Sequence, residues 1–366
     1  MENLLLKPIK LGELDLSNRF AMAPLTRQRA AAGLVTTLLH AEYYAQRATA
    51  GLIISEASQI SPRGMGYPNT PGIYSQKQVE GWKLVTEAVH AREGKVFCQL
   101  WHVGRHSHPL LQEDGGLPVA PSAVAEVGHV TTLKGKMDPV VPHPLSKTEI
   151  EQIIADYSKA ARNAIDAGFD GVEIHGANGY LIEQFLNDNS NLRTDEYGGS
   201  IANKIRFALE VTAAVVREIG PDKVGIRLSP SGTNFGVRNS DPVATFTQLI
   251  KQLNTFNLAY LHLIEPFAHL IEGLPQYLPK PTSYFRPMIQ TVLISGAGYT
   301  FATADEAIKN GDADMIAFGR DFISNPDLVY RYEHQKPLNA YDTETFYGGD
   351  SRGYTDYPFY GRSNQL

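Results

Sequence analysis

Residues 149–186 read EIEQIIADYSKAARNAIDAGFDGVEIHGANGYLIEQFL. In the first half, Ile150, Ile153, Ile154, Tyr157, Ala161 and Ile165 recur at spacings of three and four, one apolar stripe along a helix. Just before it, Ser146-Lys-Thr-Glu149 fits a capping box, in which hydroxyl and carboxylate each satisfy a helix-end donor. Gly168 supplies the stop. Gly171–His175 is then a short apolar run of the kind buried on both faces of a parallel sheet. Gly176 to Gly179 turn the chain into a second helix, Leu181–Leu186. The unit is helix, strand, polar turn, helix.

The strand half of this unit recurs at Phe20–Leu25, Leu52–Glu56, Val96–Trp101, Val224–Leu228, Ala259–Ile264, Val292–Ser295 and Met315–Phe318, which makes eight with Gly171–His175. Helical patterns lie between them. Ser75 to Gln78 and Thr303 to Glu306 fit further capping boxes, and Ile201 to Ile219 reads as one helix ending at Gly220-Pro221. Eight alternations predict an α/β fold, a (β/α)8 barrel spanning residues 1–366 as a single domain. A doubly wound sheet would show a glycine-rich fingerprint at an early strand–helix turn. The nearest match, Gly296-Ala-Gly-Tyr-Thr-Phe301, comes late and has Phe301 where the third glycine belongs.

Two segments exceed simple connections. From about His106 to Pro144, after the third strand, the chain is rich in Pro, Gly and His, the mark of a functional excursion. The tail from Arg331 carries Tyr332, Tyr341, Tyr347, Tyr354, Tyr357 and Tyr360, too aromatic for disorder, and is expected to pack on the barrel.

Composition removes several function classes. A net charge of -6 without a basic patch predicts no nucleic-acid partner, and no run approaches the roughly 20 apolar residues of a membrane span. The single cysteine, Cys98, cannot form an internal disulfide, ligate an iron–sulfur cluster or build a cysteine zinc site. With no secretory start at the N-terminus, a reducing, cytoplasmic setting is expected. There is no Gly-x-Ser-x-Gly elbow, phosphate-binding P-loop or His-Glu-x-x-His pair.

Barrel chemistry sits at the C-terminal ends of the strands. Those ends carry Pro24-Leu-Thr-Arg27, Glu56-Ala57, Gln99-Leu-Trp-His102, His175 with Asn178 and Tyr180, Arg227, Glu265, Ser295 to Gly298, and Gly319-Arg320. A barrel phosphate site frequently uses the loops after strands seven and eight, so Gly298, Gly319 and Arg320 suit an anion; the alternative is that Arg320 pairs with Asp321 or another carboxylate. His175 and Asn178 would face opposite ways on a strand, but Gly176 and Gly179 let the chain coil and bring both to one oxygen; the alternative is a satisfied structural histidine and a capping asparagine. Arg227 interrupts an apolar strand and needs an acceptor, a cofactor oxygen or a carboxylate such as Glu56. His102, His106 and His108 lack the spacing and partners of a zinc site, so no metal is expected.

Taken together, these residues resemble the Old Yellow Enzyme family of flavin-dependent ene-reductases over nearly the whole chain. The likeness is carried by Asn18 to Arg27, Gln99 to Arg105, Val119 to Ser122, Gly168 to Phe185, Arg193 to Ser200, Phe318 to Asp321 with Asn325 to Leu328, and Thr345 to Tyr347. The resemblance implies a barrel holding one non-covalent FMN, reduced by NADPH, with small activated alkenes as substrates. It also implies that Pro24, Leu25, Thr26, Ala57, Gln99, His175 and Arg227 contact the flavin ring. Ala297, Gly298, Gly319 and Arg320 would hold its phosphate. His175 and Asn178 would bind the substrate oxygen, Tyr180 would donate the proton, and Thr26, Tyr67, Trp101, Phe346 and Tyr347 would shape the pocket. The His–Asn pair resembles the yeast pattern, where plant oxophytodienoate reductases carry His–His. A monomer or weak homodimer is expected. A specialised oxylipin, nitrate-ester or nitroaromatic reductase, or a flavin-binding redox sensor, stands as the alternative.

Overall fold

The computed structural model describes residues 3–361. Its parallel strands are β1 Phe20–Met22, β2 Leu52–Ile54, β3 Val96–Trp101, β4 Gly171–Gly176, β5 Val224–Leu228, β6 Tyr260–Ile264, β7 Val292–Gly296 and β8 Met315–Phe318. Each pairs with the next, and β8 returns to β1 with Ile316 opposite Phe20 and Phe318 opposite Met22. The sheet is therefore a closed barrel with helices between its strands, the (β/α)8 fold expected. Strands β1 and β2 are shorter than their apolar runs. The last ladder bond at β1 is Ala23 N–H to the Phe318 carbonyl, 3.0 Å, and Pro24 has no N–H to continue it.

The helices Gln76–His90 and Lys147–Asp166 start at the expected boxes. Ser146 Oγ accepts the Glu149 N–H at 3.3 Å, and Glu149 accepts the Ser146 N–H at 2.8 Å. The second helix buries Ile150, Ile153, Tyr157 and Ala161, and leaves Ile154 and Ile165 at the edge of the stripe. Two expectations need correction. The helix after β7 begins at Phe301, and its box is Thr300 with Thr303: each hydroxyl accepts the other's N–H, at 3.3 and 2.9 Å. Thr303 and Glu306 lie inside that helix. The stretch 201–219 is two helices, Ile201–Lys204 and Arg206–Ile219, parted at Ile205 where buried Lys204 is tied to Asp188.

The barrel's ends differ. The N-terminal hairpin Ile9–Leu11/Leu14–Leu16 buries Leu11 and Leu16 against the interior residues Ala21, Phe97, Ile294 and Met315, closing the bottom with apolar side chains. The excursion includes the hairpin Val130–Thr132/Gly135–Met137 and a short pairing of Val119–Ala120 with His143–Pro144. The tail packs on the barrel as expected, through buried guanidinium groups that donate to its carbonyls. Arg27 reaches Gly353 O (2.7 Å), Arg29 reaches Thr345 O (2.9 Å) and Arg47 reaches Tyr354 O (3.3 Å). Tyr354 is fully buried, stacked on Tyr43 at 4.0 Å. Buried cations need such acceptors, and the tail supplies them from some 300 positions away in sequence.

Candidate active site

With the bottom plugged, the opening is at the C-terminal ends of the strands. A cavity of about 360 Å³ there is lined by Pro24 and Leu25 after β1, Arg227 of β5, Ala297, Gly298 and Tyr299 after β7, and Gly319 and Arg320 after β8. Phe267, after β6, and Tyr341, from the tail, complete its rim. Gln99 is buried on β3, and Thr26 is half-buried on the segment leaving β1.

Beside the cavity stands an aromatic group. Ala57, Trp101 and Val103 form a small buried cluster with Tyr67 and Tyr180 packed against it. The Tyr180 ring lies edge-on to Trp101 and to His175, each at 5.0 Å, and its hydroxyl is 3.3 Å from that of Tyr67. Tyr67 stacks on Trp101 at 5.8 Å. The Phe346 carbonyl accepts from Arg27 at 2.9 Å, and the neighbouring Tyr347 lies within electrostatic reach of both Tyr67 and Tyr180. The structure thus brings Ala57, Tyr67, Trp101, His175 and Tyr180 to one side, with Tyr347 near them; Asn178 is held by Ser229 and Asn234, and the Phe346 ring lies 5.6 Å from that of Tyr341 on the cavity rim. The structure brings Pro24, Leu25, Arg227, Ala297, Gly298, Gly319 and Arg320 to the adjoining cavity.

The backbone turns sharply between His175 and Asn178. His175 is the penultimate residue of β4, and Asn178 and Gly179 then take φ of +58° and +80°. A side chain on Gly179 would meet the Asn234 carbonyl at 2.6 Å, so only glycine fits the turn. Ser229 Oγ accepts the Asn178 N–H at 2.9 Å and donates to Glu183 at 2.8 Å. Glu183 also accepts the Gly179 N–H, and burial lifts its carboxyl to about 7.

The polarity of the pair follows from its neighbours. The Ala177 N–H donates to His175 Nδ1 at 3.4 Å, which assigns the ring proton to Nε2. Burial, with Arg227 and His262 adding to it, holds the imidazole well below its ordinary pKa, so it is neutral. Asn178 Oδ1 accepts from Asn234 Nδ2 at 3.4 Å, which leaves the Asn178 NH₂ as the free end. Both side chains therefore present donors. Tyr180 is held protonated by burial, its pKa raised above the ordinary phenol value.

Arg227 does not pair with Glu56, one of the two acceptors considered for it. Glu56 accepts the Arg27 N–H (3.2 Å) and the Tyr44 hydroxyl (3.4 Å) on the tail side of the barrel, and burial lifts it to about 7. Arg227 is 8% exposed, and its buried Nε has no hydrogen-bond partner among the described residues. Arg320 does not pair with Asp321 within ion-pair distance; it is exposed, its guanidinium 5.8 Å from the Tyr341 ring. The backbone N–H groups of Gly298 and Gly319 find no acceptor among the described residues. A flat, hydrogen-bonding ring ending in an anion suits these donors, and FMN has that form.

The three histidines after β3 are engaged separately. His106 Nδ1 meets both Glu126 oxygens at 2.8 and 2.9 Å, His102 Nδ1 accepts the Gly104 N–H at 3.1 Å, and His108 Nδ1 accepts the Leu110 N–H at 3.2 Å. Among the described residues no group of three or more His, Cys, Asp or Glu side chains is placed to hold a metal. Sequence reasoning missed Phe235, which takes φ +53°, stacks on His106 at 3.8 Å and lies 5.7 Å from Tyr180. It also missed Glu173, whose buried carboxylate lies two residues before His175 on the same face of β4.

The chain matches the model of the NADH:flavin oxidoreductase / NADH oxidase family over residues 4–339. It is 47% identical over 358 residues to 12-oxophytodienoate reductase 1 of Oryza sativa subsp. japonica, covering 97% of this chain and 93% of that protein. It is 43% identical over 359 residues to 12-oxophytodienoate reductase 2 of Arabidopsis thaliana, covering 97% and 95%. Among solved structures it superimposes on morphinone reductase in complex with tetrahydroNAD with a TM-score of 0.92 and 46% identity, covering 97% of each chain. An Old Yellow Enzyme homologue from Zymomonas mobilis gives a TM-score of 0.92 and 45% identity, covering 97% of this chain and 99% of that one. Among the described residues no helix is long and apolar enough to cross a membrane.

Proposed function

The chain belongs to the NADH:flavin oxidoreductase / NADH oxidase family, the Old Yellow Enzymes, and from that premise we propose that it reduces activated carbon–carbon double bonds with FMN and NADPH. Enones, enals, maleimides and nitroalkenes are the substrate class. FMN held in the cavity would supply the hydride chemistry, accepting a hydride from the nicotinamide and donating one to the β-carbon of the alkene.

The chain's own residues do the rest. Pro24, Leu25, Thr26, Ala57, Gln99, His175 and Arg227 would bound the flavin ring, and Ala297, Gly298, Gly319 and Arg320 its phosphate. His175 and Asn178 hold the substrate's carbonyl or nitro oxygen between two N–H donors and stabilise the negative charge that grows there, at roughly 3–4 kcal/mol for one such donor. Tyr180 delivers its proton to the α-carbon. Thr26, Tyr67, Trp101, Phe346 and Tyr347 orient the alkene.

The observation that carries this reading is the occupied acceptor side of both His175 and Asn178, which leaves a donor free on each, three residues apart. The test is anaerobic stopped-flow. Protein purified with FMN and reduced by NADPH should be reoxidised by 2-cyclohexenone far faster than by buffer alone. No acceleration would favour a redox sensor.

A further inference from the structure

Beneath His175 and Arg227 the barrel interior holds a buried polar group that the reaction above does not use. Glu173, on β4, is fully buried and accepts three hydrogen bonds: from Gln99 Nε2 at 2.7 Å, His262 Nδ1 at 2.8 Å and the Tyr260 hydroxyl at 3.1 Å. The register explains the meeting. Glu173 stands opposite Gln99 of β3 and Gly225 of β5, and Gly225 in turn stands opposite Tyr260 of β6. A side chain at position 225 would meet the Tyr260 ring at 2.3 Å, so the glycine lets the phenol cross β5 to reach the carboxylate.

Two consequences follow for the groups above. Gln99 gives its N–H end to Glu173, so its Oε1 is the free end of the amide and accepts no hydrogen bond among the described residues. Arg227 has no ion pair within 4.0 Å among the described residues, and Glu173 is the foremost charge favouring its cation. Burial opposes ionisation of Glu173, but His262, Arg227 and the Gln99 amide outweigh it and hold the carboxyl below its ordinary range. His262 is kept neutral by burial and serves as a donor. One carboxylate therefore sets an amide's direction and favours the Arg227 cation without pairing with it.

We propose that Glu173 is a positioning residue for the flavin: it turns the oxygen of Gln99 toward a ring N–H and moderates the positive charge that Arg227 presents to the ring. The proposal rests on FMN occupying the cavity beside Arg227. It says that the protein sets the flavin's reduction equilibrium through a group that never touches the flavin. With the carboxylate neutralised, Arg227 acts unopposed and favours the more negative, reduced form.

The test is the midpoint potential of bound FMN in the holoenzyme, read by dye equilibration during slow anaerobic reduction. Glu173→Gln should shift the reduction equilibrium toward the reduced form by about tenfold, which is about 30 mV for a two-electron couple. Tyr260→Phe damages the same network without touching the charge and should stay within about twofold of wild type. An unchanged potential in Glu173→Gln overturns the proposal. Glu173→Asp is the second variant, in case the first does not fold. It keeps the charge but loses the reach to Gln99, so FMN should bind at least tenfold more weakly at a near-wild-type potential. Affinity and potential both equal to wild type in Glu173→Asp also overturn it. A wild-type protein that neither carries nor takes up FMN overturns the underlying reading as well, a different result from normal FMN binding with an indifferent Glu173.

Discussion

The site's two ends are built differently. At the inner end, side chains do most of the holding: Tyr180 touches Trp101, His175 and the Tyr67 hydroxyl, Asn178 Oδ1 accepts from Asn234, and Ser229 Oγ accepts the Asn178 backbone N–H. At the outer end the surface is mostly backbone. Gly298 is exposed, Gly319 is half-buried, and Arg320 is exposed beside Tyr341. A constellation of fixed side chains suits a reaction, where a small misplacement is costly. An open backbone edge suits holding an anion, where several equivalent N–H donors share the load. The contrast teaches that retention and chemistry should fail separately when each end is damaged.

The largest effect should come from the inner end. His175→Ala combined with Asn178→Ala removes both proposed oxyanion donors and should slow flavin reoxidation by 2-cyclohexenone by about 10³ or more. Phenols are expected to bind the oxidised wild-type enzyme with their oxygen at His175 and Asn178 and give a long-wavelength absorbance band, which should vanish in the same variant on titration. The loss in reoxidation rate should far exceed any loss of FMN content, because His175 is only one of several residues proposed to bound the ring. A band that survives would move the oxygen site elsewhere.

Next is the outer end. Arg320→Ala removes a charge-assisted contact and should weaken FMN binding by about tenfold, measured by fluorescence as FMN returns to stripped protein. Once saturated with FMN, the variant should reoxidise at the wild-type rate. Slow reoxidation at saturation would erase the distinction between the ends.

A smaller effect concerns the turn that carries Tyr180. Glu183 is fully buried, and its carboxyl is raised to about 7 from 4.5 in the unfolded chain. The folded state thus binds the proton more tightly. Stability from this group is fully present below about 4.5 and is lost as pH rises through about 7. Against Glu183→Gln, wild type should lose ground between pH 5 and 8, by up to about 3 kcal/mol. Paired thermal melts across that range check it, and a pH-independent difference would contradict it.

Much of this was legible in sequence, for a physical reason. Barrel strands buried on both faces are continuous apolar runs, so all eight were visible, and Pro24 explains why β1 stops early. The polar residues at strand ends stood out against those runs. What was hidden depends on long-range meeting or on backbone angle. Nothing near Arg27, Arg29 or Arg47 announces that each has an acceptor among the carbonyls of residues 345–354. Phe235 enters the site through a left-handed backbone that its residue type does not suggest. The Arg227–Glu56 pairing was reasonable on charge alone, but Glu56 points to the tail side, toward Arg27 and Tyr44. A glutamate inside an otherwise apolar strand was the one signal available for Glu173, and Gly225 opposite it was the other.

The measurement that bears most directly on the division between the two ends is a pair of stopped-flow half-reactions on Tyr180→Phe. The variant keeps the ring that packs on Trp101 and His175 and loses only the hydroxyl. Flavin reduction by NADPH needs no proton at carbon, so it should run at nearly the wild-type rate with FMN fully retained. Reoxidation by 2-cyclohexenone should slow by about 10² or more, the scale of a positioned acid. Nitroalkenes should reoxidise the flavin with less loss, because the nitronate can be protonated after release. Equal reoxidation rates for wild type and Tyr180→Phe with cyclohexenone would contradict the account and return Tyr180 to a packing role at the start of the helix Leu181–Leu186.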